Sequence, residues 1–255
     1  MATTVSIGRI ARFRNTAGRQ IVAAFEQPAV IRITHWISAI AIPILIASGI
    51  QIFFAFPSFG PKIPQSNLVQ IPRHFTPWSV GGWFRALSLG RWLAGAEQWH
   101  FTFMWVFIGT GVAYVVYQIV SGHYKNVLFV PRDIPGVWPM VKHYFLFAKK
   151  PAQTEPYNPL QKLAYTSAIL LGAVSVLSGL VMFNPVQFSW LGWLMGGFHY
   201  ARIWHFIAMC GFLSFIPGHL IMVIIHGWDN FFGMLSGWKK HPEYLSEYRN
   251  SQQGE

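Results

Sequence analysis

The sequence predicts an all-α integral membrane protein: a bundle of four transmembrane helices with extra interfacial helices and both termini cytoplasmic. Three observations carry this. Of 255 residues, 53% are hydrophobic and 17% aromatic, while only 11% are charged. A soluble domain averages about 25% charged residues, and so apolar a surface would aggregate in water. Four apolar runs are each long enough to cross a bilayer, which takes ~20 residues. The cations gather beside those runs, mostly on one side.

Taken in order, residues 1–30 are an N-terminal cytoplasmic segment bearing Arg9, Arg12, Arg14 and Arg19. The segment has neither the apolar core nor the cleavage site of a cleavable secretory signal. Residues 31–238 form the transmembrane domain, with spans at about 31–54, 98–120, 163–183 and 203–226. Pro43 kinks the first span without excluding it. Each span holds small residues suited to close helix packing, among them Gly49, Gly109, Gly179 and Gly211. The loop 55–97 ends in WFRALSLGRWLAGAEQW, an expected interfacial helix with Trp anchors. The loop 121–162 carries VPRDIPGVW and KHYFLFAKK, and WDNFFGMLSGW after the fourth span reads as a short interfacial segment. Residues 239–255 are a cytoplasmic tail.

An even number of spans puts both termini on one side. On that side fall Arg9, Arg12, Arg14, Arg19, Arg32, Lys125, Arg132, Lys142, Lys149, Lys150, Lys162, Lys239, Lys240 and Arg249, fourteen of the nineteen cations. The bias toward positive charge inside makes this side the cytoplasm. The net charge of +11 therefore reports membrane orientation and implies no nucleic-acid partner. The 22 Phe and 12 Trp exclude a disordered chain. With Cys210 as the single cysteine, a disulfide framework, a Cys-ligated iron–sulfur cluster and a covalent c-type haem are all excluded.

Histidines give the spans a chemistry. Of ten in the chain, His35, His100, His205 and His219 lie within spans, where an ionisable side chain is costly and marks function by default. His205 and His219 are fourteen residues apart, about 40° short of four full turns, so they share a helix face about 21 Å apart along the axis. His35 begins the first span on the inner side, and His100 begins the second on the outer side. By depth, His100 pairs with His205 and His35 with His219. Two imidazoles from facing helices are the axial ligands of a six-coordinate b-type haem. Two such haems make an electron path across the membrane. Gly49 and Gly109 leave room for the ring faces. Arg32 and Arg202 precede His35 and His205 by three residues. Each either pairs with haem propionates or anchors its helix at the interface. His226 is either a membrane-edge residue or part of a quinone pocket. His74, His123, His143, His199 and His241 are expected in loops or at interfaces.

At these residues the chain resembles the di-haem cytochrome b membrane subunits of Ni/Fe-hydrogenases, formate dehydrogenases (gamma subunit) and thiosulfate reductases. The motifs are RITHWISAIAIPILIASG, YNPLQKLAY, LSGLVMF and RIWHFIAMCGFLSFIPGH, within residues 30–240. The resemblance implies two non-covalent b haems and a quinone site near the inner one. Asn158, Gln161 and Lys162 match the polar motif beside that quinone pocket. Asn158 before Pro159 is equally the N-cap of a helix with Pro at its first position. The resemblance also implies a catalytic partner on the periplasmic side: a molybdopterin, Ni/Fe or iron–sulfur subunit, or a c-type cytochrome. The expected setting is a bacterial or archaeal cytoplasmic membrane. Two alternatives are a ferric-reductase-type oxidoreductase, which typically needs paired histidines on two helices, and a small non-redox transporter, which needs polar residues near the midplane.

Overall fold

The computed structural model describes residues 10–14, 20–25, 27–55, 89, 92–146, 157–226 and 228–240. The side chains of 10–14, 20–25, Phe145, His226, Asp229, Asn230, Lys239 and Lys240 are outside that description. Most of the outer loop and its expected interfacial helix, His74, His241, Lys149, Lys150 and the tail beyond Lys240 also lie outside the described residues.

Four helices are long and apolar enough to cross a membrane. They are α1 (Ala29–Ala55), α2 (Leu93–Ser121), α5 (Pro159–Phe183) and α7 (Phe198–His226). Their 25–29 residues amount to about 37–44 Å at 1.5 Å per residue, more than the ~30 Å hydrocarbon core. The helices therefore continue into the headgroup zone, which is why α2, α5 and α7 start four or five residues before the apolar runs do. Large apolar side chains face outward along the spans, for example Ile40 at 62% exposure and Ile224 at 74%. Lipid is the solvent that makes this surface stable. Pro43 in α1 and Pro217 in α7 are both accommodated inside continuous helix.

Local sequence signals fix the ends. At the start of α5, Asn158 Oδ1 accepts from the Gln161 amide at 2.9 Å, and Gln161 Oε1 accepts from the Asn158 amide at 3.0 Å. This reciprocal box, with Pro159 at the first helical position, is the N-cap expectation fulfilled. Short helices occupy the connections: α3 (Tyr124–Val127), α4 (Ile134–Leu146), α6 (Ser189–Leu194) and α8 (Trp228–Ser236). Between α6 and α7 the chain reverses through Gly196 and Gly197, at φ 86° and 101°, a left-handed conformation that suits glycine. Leu191 of α6 is buried against Val181 of α5 and Ala201 of α7.

One feature departs from an all-helical chain. β1 (Ile10–Arg14), β2 (Gln20–Phe25) and β3 (Trp238–Lys240) form a small antiparallel sheet in that order. Arg12 pairs with Val22, and Phe25 with Trp238. The arginines of the first segment had been read only as an orientation signal, and strands of three to six residues leave little trace in hydropathy. The chain divides into two compact units, Met1–Trp36 with Ile216–Glu255, and Ile37–Phe215. This differs from the three-part division at residues 30 and 238, because the pairing of β2 with β3 joins the first segment to the end of the transmembrane domain.

Candidate functional site

Each unit brings one of the expected histidine pairs together. In the unit formed by both chain ends, His35 of α1 and His219 of α7 lie with ring centroids 6.0 Å apart and planes at 60°. In the other unit, His100 of α2 and His205 of α7 lie 6.1 Å apart at 63°. Two imidazoles bound to one metal at about 2.0 Å per bond would have centroids about 6.3 Å apart. Both pairs meet that separation at nearly the same angle. These residues therefore fit a haem iron, ligated twice by neutral imidazole.

The surroundings of the first pair come from α8. His35 contacts the Trp36 ring at 5.3 Å. Trp36 Nε1 donates to the Met234 carbonyl at 3.1 Å, and Arg32 Nη1 donates to the Leu235 carbonyl at 2.6 Å. A cation on the last carbonyls of α8 is favourable for charge reasons as well as for hydrogen bonding. Of the two alternatives for Arg32, the structure thus gives it a definite anchoring role. Its Nε is buried with no hydrogen-bond partner among the described residues, so a donor remains for a carboxylate one turn from His35.

The second pair is seated by two other helices, in the same way twice. His100 Nδ1 lies 3.0 Å from Ser48 Oγ on α1. His205 Nδ1 lies 3.0 Å from Ser178 Oγ on α5 and 3.0 Å from the Ser175 carbonyl. Both serines are fully buried. The glycine after each serine lets the ring approach: a Cβ added to Gly49 would stand 3.3 Å from His100 Cε1, and one added to Gly179 would stand 3.3 Å from His205 Cε1. Gly49 thus faces the His100 ring itself. Gly109 has open space around it, with nothing within 4 Å of an added Cβ, and Gly179 takes the place matching Gly49. Sequence reading takes Gly179 and Ser48 as packing residues and does not single out Ser178. The repeated Ser-Gly dipeptide in ASG and LSG was the available signal.

Arg202 lies on α7 one turn before His205. His199, expected in a loop or at an interface, is in the first turn of α7, and its buried Nδ1 has no hydrogen-bond partner among the described residues. His199, Arg202 and His205 follow one another at three-residue steps along one face.

The motif matched to a quinone pocket is internally engaged. Lys162, 1% exposed, pairs with Asp133 Oδ1 at 3.2 Å. Asp133 Oδ2 accepts from the Val130 amide at 2.9 Å. Burial works against the Asp133 carboxylate, but that amide, the Lys162 ammonium and Arg132 outweigh it and hold its pKa below the ordinary 3.8. Gln161 and Asn158 cap each other, and Asn158 Nδ2 donates to Tyr144 Oη at 3.3 Å. His226 closes α7, with its side chain outside the described residues. The structure brings Asn158, Gln161 and Lys162 together as a structural knot at the start of α5.

The family model for prokaryotic cytochrome b561 matches residues 26–237. The chain is 34% identical over 198 residues to an Azospira oryzae protein named "putative protein-methionine-sulfoxide reductase subunit YedZ1", covering 78% of this chain and 89% of the relative. It is 22% identical over 245 residues to a "probable Ni/Fe-hydrogenase B-type cytochrome subunit" of Cupriavidus necator, covering 88% and 91%. A protein of the same name from Bradyrhizobium diazoefficiens is 21% identical over 221 residues, covering 81% and 79%.

Proposed function

Since the chain belongs to the prokaryotic cytochrome b561 family, and is thus a multi-pass b-type cytochrome of the bacterial inner membrane that carries electrons, we propose a finer role for it. It is the di-haem membrane subunit that links the quinone pool to a reductase on the outer face. His100 and His205 hold the outer haem, and His35 and His219 the inner one. The observation that carries this is the pair of equal ring separations, 6.0 and 6.1 Å, each matching two imidazoles on one iron.

Bound between such ligands, haem supplies a one-electron ferric/ferrous carrier. The chain's own residues do the rest. The four histidines present neutral imidazole, and their helices keep water from the ring nitrogens. Arg32 and Arg202, one turn before a ligand, receive the propionates. The cation bias of the sequence puts His35 and His219 toward the cytoplasm. The knot of Asn158, Gln161 and Lys162 fixes the inner loop against α5, shaping the quinone side without contacting the ring through its own polar atoms.

The relative identities support a reading of the direction of flow. The 34% relative is named as a reductase subunit, while the hydrogenase relatives stand at 21–24%. We therefore assign outward flow, with quinol giving two electrons and two protons. The partner then reduces an oxidised substrate, and a protein methionine sulfoxide taking two electrons and two protons gives methionine and water. The periplasmic partner is of the molybdopterin, Ni/Fe, iron–sulfur or c-type cytochrome classes.

Purified protein should bind two b haems per chain, with a split α-band in the reduced-minus-oxidised spectrum. His100→Ala and His219→Ala should each lose one haem and keep the other. Loss of neither refutes the pairing. Haem reduction by a quinol analogue in proteoliposomes, faster than oxidation of reduced haem by the quinone, supports outward flow, and the reverse points to a hydrogenase-like partner.

A further inference from the structure

The two Ser-Gly seats do more than fill space. Serine in a helix commonly returns its hydroxyl hydrogen to a carbonyl one turn back. Ser48 Oγ donates to the Ile44 carbonyl at 2.7 Å, and Ser178 Oγ donates to the Val174 carbonyl at 2.5 Å. A hydroxyl has one hydrogen and two lone pairs, so with its hydrogen committed each serine meets Nδ1 as an acceptor. At His205 a carbonyl makes the assignment firm, because a carbonyl oxygen only accepts: the Ser175 carbonyl at 3.0 Å from Nδ1 requires a hydrogen on that nitrogen. At His100 the Ser48 hydroxyl, its hydrogen committed to the Ile44 carbonyl, stands 3.0 Å from Nδ1 and requires the same. That leaves Nε2 with the lone pair on both rings. In each seat the glycine follows the serine.

We propose that Ser48, and Ser178 acting with the Ser175 carbonyl, are the positioning residues of the outer haem. They lock both ligand imidazoles in the Nδ1–H tautomer and hold down the reduction potential of that haem. This rests on the assignment of His100 and His205 as its ligands. An acceptor on Nδ1–H raises the basicity of the imidazole, and a more basic ligand favours ferric over ferrous iron. Two imidazoles so accepted on one iron act in the same sense. Because they come from different helices, each can be changed separately.

The test is a potentiometric titration of full-length protein in detergent or vesicles, following both haems optically and by electron paramagnetic resonance of the ferric forms. Ser48→Ala or Ser178→Ala should shift the outer haem upward by a factor of about three to ten in its ferric/ferrous balance, roughly 30–60 mV at 59 mV per decade for one electron. The double substitution should shift it further, and the inner haem should not move. Ser214→Ala, which removes the same kind of hydroxyl-to-carbonyl bond (Ser214 to Cys210, 3.0 Å) away from either ring, should shift neither. Should Ser178→Ala lose the outer haem, Ser178→Cys decides: it is close in size with a weaker acceptor, and an upward shift supports the proposal. An outer potential unchanged in both serine variants, or equal shifts of both haems, overturns it. The His100→Ala variant separates the two levels, since loss of no haem there refutes the ligand assignment itself.

Discussion

Removing the carboxylate of Asp133 tests how the loop before α5 is held. At 3.2 Å and an effective dielectric of about 20, the attraction between Lys162 and Asp133 is about 5 kcal/mol. Taking two ions out of water costs several kcal/mol each, so the pair gains little over an apolar substitute. Breaking it is another matter, because Lys162 is 1% exposed and would be left charged with its carboxylate gone. Losing one partner of a buried pair costs about 3–5 kcal/mol. For a chain of this size 1 kcal/mol is worth about 2–4 °C, so Asp133→Asn should lower the Tm by about 6–20 °C. Loss of the Soret band on heating reads this out. Asp133→Leu combined with Lys162→Met should recover most of the loss. The pH dependence has a definite sign. A carboxyl whose pKa is depressed by folding contributes stability above its unfolded value of 3.8, and that contribution is lost as pH falls through the lower folded value. Titration from pH 7 to 5 should leave the pair intact, with destabilisation beginning only below about pH 4. A single Asp133→Asn variant as stable as the parent, or a double variant worse than the single, would falsify this account.

Three further outcomes follow from other contacts. A Cβ on Gly211 would stand 2.5 Å from Leu171 Cδ2, so Gly211→Ala should cost about 1–3 kcal/mol by overpacking α5 against α7, seen as a lower Tm at full haem content. Asn158→Ala removes half of the capping box and its bond to Tyr144, and should cost about 1 kcal/mol in the same assay. Burial pushes the His123 imidazole below its ordinary 6.5, which means the folded state resists its protonation. Stability should then fall as pH drops below 6.5, and His123→Gln should flatten the dependence between pH 7 and 5 in thermal melts.

The spans and both histidine pairs were legible because the bilayer punishes ionisable groups and fixes helix length, so few residues carry the pattern. Fourteen residues between His205 and His219 place both on one face whatever the neighbours do. The helix starts were less legible: Glu97 lowers the apolarity of the first turns of α2, yet the helix begins at Leu93. The small sheet was missed because pairing of β2 with β3 joins segments more than two hundred residues apart. Lys162 and Asn158 show why a motif leaves a role undecided. Their polar atoms are bonded within the fold, to Asp133 and Tyr144, and no local pattern announces those partners. Ser48 reads as a small packing residue and Ser178 carries no signal of its own, because a helical serine can satisfy its hydroxyl within its own helix, and only the geometry shows a second, accepting contact.

Within the unit of residues 37–215 the seats of His100 and His205 are related as two copies of one device. In each, a preceding span presents serine and glycine at fixed offsets to a histidine on a later span. Little else in ASG and LSG repeats, since lipid-facing positions tolerate any apolar residue of suitable size while the seat constrains these two. On the proposed ligand assignment, a pair treated this evenly gives its iron no preferred side, and the bias needed for one-way transfer would arise from what differs around the two haems. The His35 and His219 site is built differently, with Trp36 against His35 and an Arg32 Nε one turn away that has no hydrogen-bond partner among the described residues. A nearby cation favours the reduced, less positive iron, so on the same assignment half-buried Arg32 would raise the potential of its haem while the serine acceptors lower that of the other. Electrons would then rest on the haem of His35 and His219. The outward flow proposed above would be driven by the partner's own potential and by quinol rereducing that site, and Arg32→Gln should narrow the separation between the two midpoint potentials. A separation that stays the same or widens would remove Arg32 from this role.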